Sequence, residues 1–291
     1  MHEQRGSAKG GAAHAATGGC DGDITFVLFT YNEEKRIGRA VRNFLGRGTV
    51  LVVDNESTDR TREIAERLGC EVMTNKNMGW VEDEVTTARV KAAVRTPWIY
   101  WGFADEMVGA ETLAAIQAAA RSGRYDIVNL ARKHYYYGEF CDGAFCDRMN
   151  RIFKKDAIDF TGNSIHRFGR VAEGAKTLEL PLQHFVHHFI SNTAKTYLHT
   201  MDRYTDQECA EERPVPGILR LVLASAKLIV LNSRIRGGSK ARVSSSYLVA
   251  QMLYYRWLSA MKLYEKASKL DRKMIEAKND LHRDRILGRL G

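Results

Sequence analysis

One repeated order within residues 24–122 constrains this chain more than any other feature. Ile24–Thr30 (ITFVLFT) is a continuous apolar run without the alternation of a half-exposed strand, which is the pattern of a strand buried on both faces. Residues 34–45 follow with helical spacing through Ile37, Val41 and Leu45. The order then recurs. Thr49–Val53 predicts a second strand, and a helix begins near Ser57 or Thr58 and stops at Gly69. Residues 70–74 predict a third strand and 81–94 a helix that ends before Pro97. Trp98–Phe103 predicts a fourth strand and Ala110–Ser122 an Ala-rich helix. Strands alternating with helices in this way build a mostly parallel α/β sheet, with crossovers covering both faces.

Ligands of such sheets bind beyond the carboxyl ends of the strands. The residues at those ends are Tyr31-Asn32-Glu33, Asp54-Asn55-Glu56 and Asp105-Glu106. Three carboxylate-bearing segments are therefore expected on one edge. Two common nucleotide signatures are absent. No Gly-x-x-x-x-Gly-Lys-Ser/Thr loop occurs, and no Gly-x-Gly-x-x-Gly follows the first strand.

The 291 residues suffice for one large domain or a domain with an appended module. Residues 1–22 are rich in Gly, Ala and Ser, lack the apolar segment of a secretory signal, and predict a disordered tail. Five cysteines without a Cys-x-x-Cys pair suit reduced thiols and a cytoplasmic setting. Beyond residue 190 the chain predicts helix. The segment from Ser246 to about Leu287 has neither Gly nor Pro and reads as one long helix whose end projects.

The net charge of +9 is unevenly placed: residues 217–291 hold 16 Lys and Arg against 5 Asp and Glu. The rest of the chain is close to neutral. Within the basic quarter, residues 217–235 predict an amphipathic helix, interrupted by Arg220, Lys227 and Arg234 and so unsuited to crossing a bilayer. Its apolar residues pack on the domain or lie on an anionic membrane surface. A nucleic-acid partner is not expected, because no DNA- or RNA-binding motif accompanies the charge.

Motifs at the strand ends add a resemblance. Thr30-Tyr31-Asn32-Glu33-Glu34, then Val52-Val53-Asp54-Asn55-Glu56-Ser57-Thr58-Asp59, then Ala104-Asp105-Glu106 resemble family 2 glycosyltransferases. More narrowly the chain is similar to the bacterial lipopolysaccharide-core enzymes of that family. That similarity rests on Asp147 ahead of Arg151-Ile152-Phe153-Lys154, on Ile165-His166, and on His188 followed by Arg203-Tyr204.

The resemblance implies a GT-A fold with a C-terminal helical extension. The expected division is a catalytic domain over 23–190, with donor half 23–108 and acceptor half 109–190, and a basic helical region over 191–291. It further implies an inverting transfer from a nucleotide-diphosphate sugar to a glycan or glycolipid acceptor, at the inner face of the cell membrane.

Thr30, Tyr31, Asn32, Glu33, Asp54, Arg89, Ala104 and Asp105 are implied in donor binding, Asp54 at the nucleobase and Arg89 at the pyrophosphate. Asp105 is the second acid of the family's Asp-x-Asp motif, and Phe103 replaces the first. Asp105 and His188 are the implied ligands of Mg²⁺ or Mn²⁺. Asp147 best matches the family's catalytic aspartate, with Asp142, Glu139 and Glu173 as other acids for the acceptor proton. Arg167 stands where the family has Glu. The losses at Phe103 and Arg167 keep a second reading open, a catalytically weak nucleotide-sugar-binding scaffold.

Overall fold

The computed structural model describes residues 23–77, 83–141, 146–163, 168–210, 213–233 and 239–288, without the side chains of 231–233 and 239–242. The expectations for residues 1–22, Asp142, Ile165, His166 and Arg167 lie outside this set.

The first half follows the alternation closely: β1 (Ile24–Thr30), α1 (Ile37–Phe44), β2 (Thr49–Asp54), α2 (Thr61–Arg67), β3 (Glu71–Thr74), α3 (Glu84–Ala93) and β4 (Trp98–Phe103). These four strands lie in the order β3-β2-β1-β4, all parallel. Every residue of β1 is buried, as the unbroken apolar run requires. Inward faces alternate. Phe26, Leu28 and Tyr100 pack with Ile37, Val41 and Phe44 of α1, while Val27, Phe29 and Trp101 pack with Val90 of α3.

Then come β5 (Glu106–Val108), α4 (Ala110–Arg121), β6 (Ile127–Tyr136), β7 (Glu139–Phe140), β8 (Asp147–Lys154), β9 (Ile158–Asp159), β10 (Arg170–Val171), β11 (Thr177–Glu179) and β12 (Phe185–Ile190). The main sheet continues from β4 through β8, β6 and β12 to β5. β8 is antiparallel to both β4 and β6, and β12 is parallel to β6. Two reversals restore the original direction, so β6 and β12 run with β1–β4 and their carboxyl ends reach the same edge. This is the GT-A type of sheet, mixed and mostly parallel.

Four helices complete the chain: α5 (Ala194–Ala210), α6 (Ile218–Ser233), α7 (Ser239–Ala267) and α8 (Arg272–Leu287). α7 is tied to the sheet where Gln251 Nε2 donates to the Tyr136 hydroxyl. Tyr197 of α5 donates to the Gln251 carbonyl at 2.5 Å. Among the described residues, no helix is long and apolar enough to cross a membrane.

Two expectations are corrected. The long C-terminal helix breaks between Ala267 and Arg272, because Lys269 takes a positive φ of 51° and Asp271 starts a new helix by accepting from the Met274 amide at 2.7 Å. α8 does project, with no residue buried. Ser57 and Thr58 do not cap α2. The Asp59 carboxylate accepts from the Thr61 amide at 2.9 Å, and Ser57 and Thr58 instead bond the neighbouring loop.

Candidate functional site

The loops after β1 and β2 are stitched together. The Asn32 amide donates to Ser57 Oγ at 2.8 Å, and the Thr58 amide donates to Asn32 Oδ1 at 2.8 Å. The Glu33 amide donates to Thr61 Oγ1 at 2.6 Å and the Glu34 amide to Asp59 Oδ2 at 3.0 Å. Asn32 adopts a φ of 54°, a left-handed conformation that Asn tolerates better than most residues. Its side-chain oxygen thus ties the two loops together.

Asp54 ends β2 almost fully buried. One carboxylate oxygen accepts from the Ser57 amide at 3.1 Å; the other, Oδ1, has no partner among the described residues. Thr30 Oγ1, across the β1–β2 register from Asp54, is likewise buried and unpartnered. Buried polar atoms are nearly always paired, which makes this pair of neighbouring orphans a candidate for a ligand or water to complete. Tyr31 is exposed, and Ala104 is buried with its amide on the Phe29 carbonyl at 3.1 Å. Arg89 donates to Asn75 Oδ1 at 3.1 Å and the Thr74 carbonyl at 3.0 Å. It therefore stands beside the end of β3, where Asn75 Nδ2 donates to Asn55 Oδ1 at 2.9 Å.

Asp105 lies in the turn between β4 and β5 and faces β12: its Oδ2 is 3.3 Å from His188 Nε2. The two expected metal ligands are thus brought together. They line a cavity of about 210 Å³ with Arg36, Ser191, Tyr197 and Gln251. Arg36 had no part in the expected site. It pairs with Glu33 and donates to Ser191 Oγ at 3.0 Å, so it joins the β1 loop to the end of β12. Burial pushes the Glu33 carboxyl up against the pull of Arg36. At Asp105 burial also works upward, but the hydrogen bond with His188 and the charges of His188, Arg36 and Arg132 prevail and hold the carboxyl low.

Behind His188 runs a chain of polar contacts. His188 Nδ1 lies 2.8 Å from His134 Nδ1, and His134 Nε2 lies 3.5 Å from Asp147 Oδ1. Asp147 accepts from Arg132 at 2.6 and 3.2 Å. Arg132 reaches Glu106 at 3.4 Å, and Glu106 pairs with the fully buried Arg151 at 3.0 Å. Desolvation lowers the His134 pKa despite Asp147, favouring a neutral ring. In a neutral His134, an Nε2 proton turned to Asp147 leaves Nδ1 to accept from His188. When Nε2 gives up the proton it donates to Asp105, His188 presents a lone pair to that carboxylate. Two lone pairs facing each other at 3.3 Å form a site suited to a cation. Carboxylate-supported imidazole is the usual second layer behind a metal-binding histidine. The donor set thus fits a divalent ion that would take its remaining ligands from outside the protein. Among the described residues, no group of three or more His, Cys, Asp or Glu gathers as a complete protein cage.

Asp147, the expected catalytic aspartate, is engaged within the protein: burial works to raise its pKa, yet the His134 hydrogen bond and the Arg132 ion pair hold it well below the usual carboxylate range. Glu106 is 1 % exposed and ion-paired. Phe103, at the position of the lost acid, packs on Phe29 and lies 4.7 Å beneath the Arg151 guanidinium, a cation–π contact. Of the other acids, Glu139 accepts from Ser244 Oγ at 2.6 Å, and Glu173 is exposed in the turn after β10.

Residues 25–168 match the family model described as Glycosyl transferase family 2. Over these residues the chain is similar to family 2 glycosyltransferases. An uncharacterized glycosyltransferase of Rickettsia typhi is 47% identical over 143 residues, covering 47% of this chain and 48% of that one. Another, from Rickettsia bellii, is 33% identical over 104 residues, covering 35% and 34%. The chain thus matches about half, or less, of the length of these curated relatives. Among solved structures, S. aureus TarS with UDP-GlcNAc is similar at 11% identity and a TM-score of 0.43, over 86% of this chain and 93% of that one. Glucosyl-3-phosphoglycerate synthase of Mycobacterium tuberculosis, solved with Mn²⁺, UDP-glucose and phosphoglyceric acid, is 19% identical with a TM-score of 0.31, over 40% and 44%. Neither likeness extends to residue roles.

Proposed function

We propose that this protein transfers a sugar from a nucleotide-diphosphate donor to an acceptor hydroxyl. The observation that carries the reading is the Asp105–His188 pair, facing across 3.3 Å in a cavity that also holds Arg36. Asp54 and Thr30, with their orphan oxygens, receive the nucleoside. Asp105 and His188 hold Mg²⁺ or Mn²⁺, and Arg36 adds a fixed positive charge beside the diphosphate. The metal, when bound, offsets the charge that builds on the departing nucleoside diphosphate. An imidazole in the donor set favours Mn²⁺ over Mg²⁺, which takes oxygen ligands almost exclusively. His134, Asp147 and Arg132 position His188.

Residues 23–108 serve as the donor half, 109–190 as the acceptor half, and 191–291 as the region that docks the enzyme. An inverting course and a cell-envelope glycan or glycolipid acceptor, as in lipopolysaccharide-core synthesis, agree with the motif resemblance. A cytoplasmic enzyme on the inner membrane face agrees with α6, whose Ile218, Leu219, Val222, Leu223 and Val230 are exposed beside Arg220 and Lys227. The packing of Phe103 under Arg151 favours keeping the scaffold reading as the alternative. Release of free sugar and nucleotide from UDP-, GDP- and dTDP-sugars with Mn²⁺ separates the two. Turnover supports the enzyme; tight donor binding without turnover, in the presence and absence of acceptor lipid, supports the scaffold.

A further inference from the structure

A second, larger cavity of about 830 Å³ lies between α5, α6 and α7. Its volume is that of a small-molecule site rather than a packing defect. Met201, Leu221, Ala224, Met252 and Leu263 give it an apolar lining. Three arginines also line it, Arg213, Arg220 and Arg256, against one carboxylate, Glu208. Glu208 is already engaged: it accepts from Arg213 at 2.6 Å, from Ser259 at 3.3 Å and from the Tyr255 hydroxyl. The balance left to a ligand is positive.

Position makes this cavity more than a gap among helices. Tyr197 and Met252 line both it and the smaller cavity of Asp105, His188 and Arg36, so the two adjoin. On its other side, α6 contributes Arg220, Leu221 and Ala224 to the lining while leaving Leu219, Val222 and Leu223 bare to solvent. One helix thus joins an exposed apolar surface to an apolar chamber, and the chamber shares two walls with the cavity of Asp105 and His188.

We propose that this chamber binds the acceptor, and that the acceptor is an anionic amphiphile. Its hydrocarbon segment fills the space between Leu221, Ala224 and Met252. Its phosphate-type group meets Arg220 and Arg256. Its polar end passes Tyr197 toward Asp105. The word acceptor rests on the transferase reading above; the binding site itself does not.

The test is calorimetric titration of the full chain with dodecyl phosphate below its micelle concentration, with dodecyl maltoside and inorganic phosphate as single-feature controls. Dodecyl phosphate is expected to bind at least about tenfold more tightly than either control. Ala224→Trp, which fills the chamber, is expected to abolish binding. Arg220→Glu, at an exposed position, is expected to weaken it about tenfold while leaving nucleotide-sugar binding unchanged. If Ala224→Trp does not fold, Arg220→Glu decides. Equal binding of dodecyl phosphate and a control, or undiminished binding in folded Ala224→Trp or in Arg220→Glu, overturns the proposal. A protein that binds nucleotide sugar but not dodecyl phosphate loses only this inference. One that binds dodecyl phosphate but no nucleotide sugar loses only the transferase reading.

Discussion

His134 and His188 sit directly opposite each other in the parallel β6–β12 register, with their Nδ1 atoms 2.8 Å apart. One ring must donate and the other accept, so the tautomer of each is set by its partner. Asp147 on one side and Asp105 on the other then determine which nitrogen of His188 is left open. Removing His134 leaves His188 free to turn or to change tautomer. His134→Ala is expected to raise the Mn²⁺ concentration needed for half-maximal donor binding by about 10–100-fold, with metal-free nucleotide binding little changed. Thermal-shift titrations of Mn²⁺ at fixed donor concentration measure this. An unchanged Mn²⁺ requirement would assign His134 to packing alone.

Asp54, whose Oδ1 has no partner among the described residues, is the residue proposed to receive the nucleobase. The base is remote from the bond that breaks. Asp54→Ala is therefore expected to raise the donor KM by more than it lowers kcat. Steady-state kinetics over a range of donor concentrations check this. A large fall in kcat at unchanged KM would move Asp54 out of the nucleotide pocket.

Glu106 and Arg151 are each 1 % exposed and hold one another at 3.0 Å. Breaking such a pair strands a buried charge, which costs about 3–5 kcal/mol. Arg151→Met is expected to lower stability by about this amount in urea unfolding. The double variant Arg151→Met with Glu106→Gln is expected to recover part of the loss, since no bare carboxylate remains. Full recovery is not expected, because Arg132 also bonds Glu106. A single variant as stable as the wild type would contradict the importance of this pair.

Much of this architecture is legible in the sequence. The buried strands β1, β2 and β4 announce themselves because a parallel strand covered on both faces must be apolar throughout, and their polar ends then locate the edge where ligands bind. The pairing of Asp105 with His188 follows from the motif resemblance and is met by the geometry. What escapes is non-local register. Nothing near His134 or Arg132 in the chain shows that β6 will lie beside β12 and β8, and only that pairing links them to His188 and Asp147. Nothing beside Glu106 in the chain shows that Arg151 of β8 will pair with it. Arg36 reads as one more basic residue at a helix start until β12 ends beside it.

The exposed apolar face of α6 leads to a prediction about location. Wild-type protein is expected to co-sediment with anionic vesicles and not with neutral ones, and to be released as salt rises, because each basic residue near the surface contributes only about 1 kcal/mol and is screened. Leu219→Glu with Leu223→Glu is expected to abolish co-sedimentation, since both side chains are more than half exposed and free to meet a lipid surface. Protein that stays in the supernatant with both vesicle types would assign this face to another partner.

Asp105, with His188, is proposed to form the diphosphate end of a nucleotide-sugar site. The most direct measurement is the thermal shift of wild type and Asp105→Ala with UDP-, GDP- and dTDP-sugars, each with Mn²⁺ and with EDTA. Binding to the native state raises the melting temperature. At least one donor is expected to stabilise the wild type with Mn²⁺, EDTA to remove most of the shift, and Asp105→Ala to remain folded with little or no shift. An equal shift in Asp105→Ala, or one that EDTA leaves unchanged, would contradict that role.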